Sequence, residues 1–184
     1  MSKILIVAAL KSEFFNTKTL NHEIVYSGVG KINATRTLTE QILKNKPDLV
    51  VNVGTAGSLK PHLSGSFVVR DVIEHDMSAE PLAPRGSTPF DSTSPIFSSD
   101  LGNVRCATGD SFVTEVDPWL IESSVDLVDM ELFAIAKICG FYGVKWRSLK
   151  YVSDYVDENS AENWIHSLER ASREIQNTIK DLLN

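Results

Sequence analysis

Three acidic residues stand where a carboxylate can move a proton or hold a hydroxyl. Glu13 follows the apolar run that opens the chain, Glu131 precedes Ala134, Ile135 and Ile138, and Asp154 ends the last apolar run of strand length. The i+3, i+4 and i+7 spacing puts the Glu131 carboxylate on the apolar face of its own helix. An acid there is costly unless something binds it. Each acid has an ordinary alternative: Glu131 as a first-turn acid behind an Asp129 N-cap, Asp154 as a turn or capping residue, Glu13 as a first-turn acid. All three are expected at the carboxyl ends of strands, where α/β sheets bind their ligands. Together they form a constellation suited to proton transfer and to holding hydroxyls.

Two glycine-bearing segments sit at the same predicted edge. SGVGKIN (27–33) feeds a helix, and its missing side chains would let backbone and helix N-terminus approach a polar ligand. Asn33 stands where a dinucleotide fingerprint needs a third glycine, and neither segment has the spacing of a nucleoside-triphosphate cradle. GTAGS (54–58) reads as a second tight turn, with hydroxyls at Thr55 and Ser58. Both segments are equally compatible with plain strand-to-helix turns. Histidines 22, 62, 75 and 166 show neither ligand spacing nor a nucleophile triad, and His75-Asp76 is the only pair worth watching.

The elements that must position these residues alternate between strand-length apolar runs and helical patterns. Runs at 3–9, 23–27, 48–53, 66–73, 103–108, 125–128 and 146–152 read as strands, and 31–45, 130–141 and 161–183 as helices. This pattern predicts a three-layer α/β domain over 1–184: a central mixed, largely parallel sheet flanked by helices, with no repeat or internal boundary. Residues 76–100 hold four prolines, several serines and Phe90, and are long enough to be a lid or binding loop.

The chain has 184 residues, 42% apolar and 23% charged, the composition of an ordinary globular domain rather than a disordered one. A net charge of -6 argues against nucleic acid and anionic membranes as partners. Cys106 and Cys139 lie far apart, read as buried small hydrophobes, and suit a reducing cytoplasm. The opening apolar run stops by Lys11 with no cleavage site, so it reads as a strand rather than a leader, and no run has the length of a membrane helix.

SGVGKINA (27–34), NVGTAGSL (52–59), GDSFV (109–113), VDMELFAIAKIC (128–139) and VSDYVD (152–157) occur in the order and at the intervals of one family. The chain resembles the nucleoside phosphorylase and nucleosidase superfamily, specifically its 5'-methylthioadenosine/S-adenosylhomocysteine nucleosidase branch. The resemblance implies cleavage of the N-glycosidic bond between purine and ribose, with no metal and no cofactor. It implies that Asp154 protonates the purine N7 with Ser153 orienting its carboxyl group, and that Glu131 holds the ribose 2'- and 3'-hydroxyls. Met130 would pack on the sugar, Phe112 would stack on the base and the Val113 backbone would bond the base edge. Thr55 would position the sugar or the nucleophile, and Glu13 would orient and deprotonate water. It also implies a homodimer or higher homo-oligomer, which the apolar Leu82 and Phe90 of the long loop suggest independently.

The departures from that family are specific. A β-hairpin usual between Glu13 and Ser27 has no room here, and no aromatic precedes Trp164 to cover the nucleoside. The apolar slot for a 5'-substituent would then fall to Val29, Leu82, Phe90 and the residues before Trp164, and be more open than usual. Lys150 replaces a related arginine three residues before the Ser-Asp pair, keeping charge but losing bidentate geometry. A phosphorylase would need an arginine where Asn52 stands and a phosphate-binding segment in place of ALKSE (9–13). A non-catalytic nucleoside-binding protein is the remaining alternative.

Overall fold

The computed structural model describes residues 2–15, 22–157 and 160–183. Its strands are β1 (Ile4–Ala8), β2 (Glu23–Tyr26), β3 (Leu49–Ser58), β4 (Ser66–Glu74), β5 (Ile96–Ser98), β6 (Val104–Thr108), β7 (Leu127–Asp129) and β8 (Lys145–Tyr155). The helices are α1 (Lys31–Asn45), α2 (Pro118–Glu122), α3 (Leu132–Tyr142) and α4 (Ser160–Thr178), and a 3-10 turn follows at Ile179–Leu182.

β1 is buried along its whole length, because its two faces meet different helices. Leu5 and Val7 join Leu38 and Ile42 of α1 and Ile135 and Cys139 of α3, whereas Ile4, Ile6 and Ala8 join Ala171 and Ile175 of α4. That alternation is the period-2 geometry of a strand covered on both sides, and it explains why the run reads as continuously apolar. The pairings β1–β2, β1–β3, β3–β8, β4–β6 and β6–β7 are parallel, and β3–β7, β4–β5 and β4–β8 are antiparallel. The sheet is therefore mixed and largely parallel, with helices on both faces, as expected. It also closes on itself: β8 lies between β3 and β4, and the ring β3–β8–β4–β6–β7 returns to β3, leaving β2–β1 and β5 as extensions.

Several sequence expectations need correction. GTAGS (54–58) is not a tight turn but the second half of β3, paired to β8 on one side and, at Gly57 and Ser58, to β7 on the other. Ladder hydrogen bonds on both sides outweigh the weak strand preference of glycine. β8 likewise runs on to Tyr155, so Asp154 lies within a strand rather than after it. β5 and α2 went unrecognised, one for being three residues long and the other five.

The long loop is not a lid over its own chain's cavity. Arg85 donates from Nε to His75 O at 2.8 Å, stacks 4.7 Å from the Trp119 ring and pairs with Asp117, so the loop is pinned to α2. Lys137 of α3 holds Asp91 at 2.8 Å. Leu82 and Phe90 are left pointing outward, 69% and 96% exposed. Both cysteines are free and buried. Residues 16–21, where the hairpin would have been inserted, and 158–159, part of the approach to Trp164, lie outside the described residues. No helix among the described residues is long and apolar enough to cross a membrane.

Candidate active site

At the carboxyl ends of β1, β3, β7 and β8 a cavity of about 280 Å³ opens, and its lining gathers the eight residues to which the resemblance assigns catalytic or binding roles: Glu13, Thr55, Phe112, Val113, Met130, Glu131, Ser153 and Asp154. Ala9, Leu10, Val29 and Trp164 add apolar wall, and Asp129 adds a fourth acid. Leu82 and Phe90, candidates for the 5' slot, are not part of it, nor are His75 and Asp76. A larger hollow of about 700 Å³ lies at the opposite end, near Lys46 and Lys145, and its one acid, Asp48, is occupied by the backbone N–H of Lys3 at 2.7 Å. Convergent acids single out the first cavity.

Asp154 reaches this cavity through an irregularity in β8. The register with β3 passes from Ala56 opposite Val152 to Gly57 opposite Asp154, so Ser153 is the extra residue of a bulge. Bulges re-aim side chains. Here the Ser153 hydroxyl is placed beside Asp154 Oδ1 at 2.6 Å and the carboxyl group is laid over β3. A Cβ at position 57 would stand 3.0 Å from Asp154 Oδ2 and 3.2 Å from Val128, so a side chain there would crowd the carboxyl group. Burial pushes the Asp154 carboxyl up from its usual range, against the Ser153 hydrogen bond, because desolvation disfavours the charged form.

Glu13 sits in the turn after β1. Its Oε1 accepts from Thr55 N at 3.0 Å and from the Thr55 hydroxyl at 2.6 Å, and its Oε2 accepts from Leu10 N at 3.1 Å. Glu131 precedes the first residue of α3 and Gly30 N donates to its Oε1 at 2.9 Å. Both readings of this corner hold in part, since Asp129 accepts the Leu132 N–H at 3.0 Å while Glu131 faces the cavity. The glycine segment before α1 thus turns its N–H groups toward the protein's own carboxylates, Gly30 toward Glu131 and Lys31 toward Asp110 at 2.8 Å. Burial, aided by the Asp129 charge, pushes Glu131 up to about 7 against the opposing Lys150 cation.

Lys150 itself is fully buried, with Nζ 2.7 Å from Asp129 Oδ2. Burial alone would lower its pKa, but the Asp129 and Glu131 carboxylates override this and hold it above the ordinary lysine range. Asp129 also accepts from the Thr108 hydroxyl, whose oxygen takes the Phe133 N–H at 2.9 Å. One buried acid therefore ties β6, β7, α3 and β8 together directly behind the cavity.

His75 lies buried against Gly109, and burial lowers its pKa. Its neighbour Asp76 receives Lys31 Nζ at 2.6 Å and Asp110 N at 2.8 Å, steadying α1 and the segment that leads to Phe112 from behind. Among the described residues no lysine, arginine or histidine lines the cavity. Asn52, which stands where a phosphate-binding arginine was sought, is a strut inside the fold, donating to Val7 O at 3.2 Å and accepting from the Ser148 hydroxyl at 2.9 Å.

Residues 11–184 match the family model described as Phosphorylase superfamily. The chain belongs to the phosphorylase superfamily. Among curated relatives it is 27% identical over 185 residues to the 5'-methylthioadenosine/S-adenosylhomocysteine nucleosidase of Geobacillus thermodenitrificans, covering 87% of this chain and 78% of that protein. Among solved structures, a mutant Helicobacter pylori nucleosidase with 5'-methylthioadenosine in its active site superposes with a TM-score of 0.87 at 21% identity, covering 100% of this chain and 98% of that one. The futalosine hydrolase of H. pylori strain 26695 gives 0.82 at 25% identity, covering 95% and 94%. For a superfamily member read from sequence, the residues missed were Asp129 and Trp164. Asp129 was set aside as an N-cap, and Trp164 was one apolar position among many in an amphipathic helix.

Proposed function

We propose that the chain hydrolyses the N-glycosidic bond of purine nucleosides, with 5'-methylthioadenosine and S-adenosylhomocysteine as its substrates, releasing adenine and the thioribose derivative. The observation that carries this is one cavity lined, among the described residues, by four acids and no cation. The curated relatives bearing the nucleosidase name support the same reading.

The chemistry follows from what each group can offer. Cleavage passes through an oxocarbenium-like sugar, so the base must leave protonated and negative charge must lie near the ring. Asp154, whose carboxyl group burial pushes up from its usual range, is the donor to N7, and Ser153 holds its carboxyl group. Glu131 accepts the ribose 2'- and 3'-hydroxyls, with Met130 against the sugar. Phe112 stacks on the base and the Val113 backbone meets its edge. Thr55 fixes Glu13, which orients the attacking water and takes its proton. The 5'-substituent lies against Leu10, Val29 and Trp164, an apolar wall suited to an alkylthio group.

Phosphorolysis would bring a phosphate dianion into this same acidic space, where among the described residues no cation lines the wall to receive it and Lys150 is already paired with Asp129 behind it. Turnover is therefore expected to be independent of phosphate and to yield free sugar. Incubation with methylthioadenosine, S-adenosylhomocysteine, adenosine, inosine and futalosine, with and without phosphate, followed by mass spectrometry of the sugar products, checks this. A sugar 1-phosphate formed only with phosphate overturns it. Methylthioadenosine is expected to be preferred, and adenosine to follow within about two orders of magnitude, since one apolar group is worth about 1–3 kcal/mol in a pocket.

The protein works as a homodimer in this reading, in the cytoplasm, on small molecules of methionine salvage. The outward Leu82 and Phe90, with Ile32 of α1 and Phe141 of α3 also exposed, offer apolar surface that a second copy would cover. Sedimentation equilibrium at micromolar concentration is expected to give twice the mass of the 20.4 kDa chain, and Phe90→Asp is expected to weaken that association. A fully active monomer contradicts it.

A further inference from the structure

Trp164 stands near the start of α4 and lines the cavity, but it does more than supply an apolar wall. Its indole Nε1–H donates to Thr55 Oγ1 at 2.9 Å, and the Thr55 hydroxyl lies 2.6 Å from Glu13 Oε1. An indole nitrogen can only donate, and a threonine hydroxyl carries one proton. The Thr55 oxygen must therefore accept from Trp164, and its proton has a single well-placed acceptor, Glu13 Oε1. The direction of the chain from Trp164 through Thr55 to Glu13 is set by the chemistry of its members.

We propose that Trp164 is a positioning residue for hydrolysis, fixing the Thr55 hydroxyl as a donor to Glu13 and so coupling the seating of α4 over the cavity to the orientation of the water-activating carboxylate. This rests on the nucleosidase reading given above.

Two features of the site make the coupling matter. First, the donors are unequally shared: Oε1 accepts from both the N–H and the hydroxyl of Thr55, while Oε2 accepts the Leu10 N–H. Oε2 is thus the oxygen with capacity left for a water. Without Trp164 the hydroxyl is free to rotate, and it can spend its proton on that water or on a sugar oxygen instead. Second, the apolar anchorage of α4 lies further along the helix than Trp164. Ile165 is largely exposed, whereas Ala171 and Ile175 further along are buried in the core under β1 and β3. The indole bond joins this end of the helix to β3 at the cavity, and the buried Ser160 hydroxyl, 3.1 Å from Tyr155 O, joins its first residue to the end of β8. A nucleoside entering beneath Trp164 would settle the helix end and the carboxylate in one movement.

The test is a double-mutant cycle on the full chain, read by methylthioadenosine hydrolysis. Trp164→Phe keeps a ring against the nucleoside and deletes the N–H. It is expected to lower kcat by about five- to tenfold, the worth of one hydrogen bond, and to change KM by less than about twofold because the apolar contact remains. In a Thr55→Val background, where no hydroxyl is left to orient, the same change is expected to lower kcat by less than about twofold further; in a Thr55→Ser background it retains its effect. Thermal melts of each variant establish that it is folded. A merely structural role for Trp164 predicts an equal loss in all three backgrounds, and that result overturns the proposal, as does a Trp164→Phe kcat within twofold of wild type. A wild-type chain that releases base from no nucleoside overturns the nucleosidase reading and this proposal together, whereas an active wild type with additive losses overturns this proposal alone.

Discussion

Asp154→Asn is expected to lower kcat by about three orders of magnitude while leaving KM within a few-fold of wild type. Asparagine has the shape of the neutral acid, so it fits over Gly57 and can accept the Ser153 hydroxyl in the same place. It can still donate a hydrogen bond to N7 but has no proton to surrender. A general acid acts in the transition state, so its loss appears in kcat, and such roles are typically worth about 10²- to 10⁴-fold. The same residue sets a limb of the pH profile. The Asp154 pKa is raised by burial, so the competent, protonated form persists above the usual carboxylate range and kcat declines as pH rises through the raised value. In Asp154→Asn that limb is expected to vanish along with the activity. Steady-state kinetics from pH 4 to 9 checks both statements, and a variant that raises KM alone removes Asp154 from the role of proton donor.

That Asp154 was legible in sequence while its setting was not has a physical reason. An acid at the end of an apolar run is visible one residue at a time, as is the amphipathic pattern of α4 or the all-apolar β1. The bulge at Ser153 is a relation between two strands separated by about a hundred residues, and it leaves no local signature. GTAGS (54–58) was misread for the same reason. Its glycines look like turn residues in isolation, but at Gly57 a Cβ would crowd the Asp154 carboxyl group at 3.0 Å, while at Gly54 it would meet Glu13 Oε1 only at ordinary contact distance. Glycine at position 57 reports close approach within a strand rather than a change of chain direction. The closure of the sheet was equally hidden, because β8 takes its place between β3 and β4 through pairings that no periodicity encodes. In sequence Lys150 stands out only as the replacement of a related arginine before the Ser-Asp pair and Asp129 reads as a cap, and only the folded chain brings them to 2.7 Å.

The Asp129–Lys150 pair bears on the second large effect, expected for Glu131→Gln. Catalysis should suffer in both parameters, by about tenfold or more in each of KM and kcat, because hydrogen bonds to a charged acceptor are worth about 1.5–3 kcal/mol and the ribose hydroxyls meet Glu131 before and during reaction. Stability should move the other way. Burial and the Asp129 charge raise Glu131 from 4.5 to about 7 in the folded protein. Between those values the folded chain keeps a proton that the unfolded chain has released, so folding stability falls as pH rises through this window. Above pH 7 the whole penalty is present, about 3 kcal/mol for a shift of this size. Glutamine carries no charge to desolvate, its carbonyl oxygen can still accept the Gly30 N–H, and Lys150 keeps Asp129 as its partner. At pH 8 the variant should therefore melt roughly 6–12 °C above wild type, and the gain should shrink to nothing near pH 4.5. Titrating groups remote from Glu131 are common to the two proteins, so the difference between their melting curves reports this carboxylate together with its coupled neighbours Asp129 and Lys150. Were Glu131→Gln less stable than wild type at pH 8, the Lys150 cation would have to need both acids, and Glu131 would be part of the scaffold. The expected result, a cripplingly slow but sturdier protein, would mean that the ribose-binding acid is held ionised at a cost to the fold.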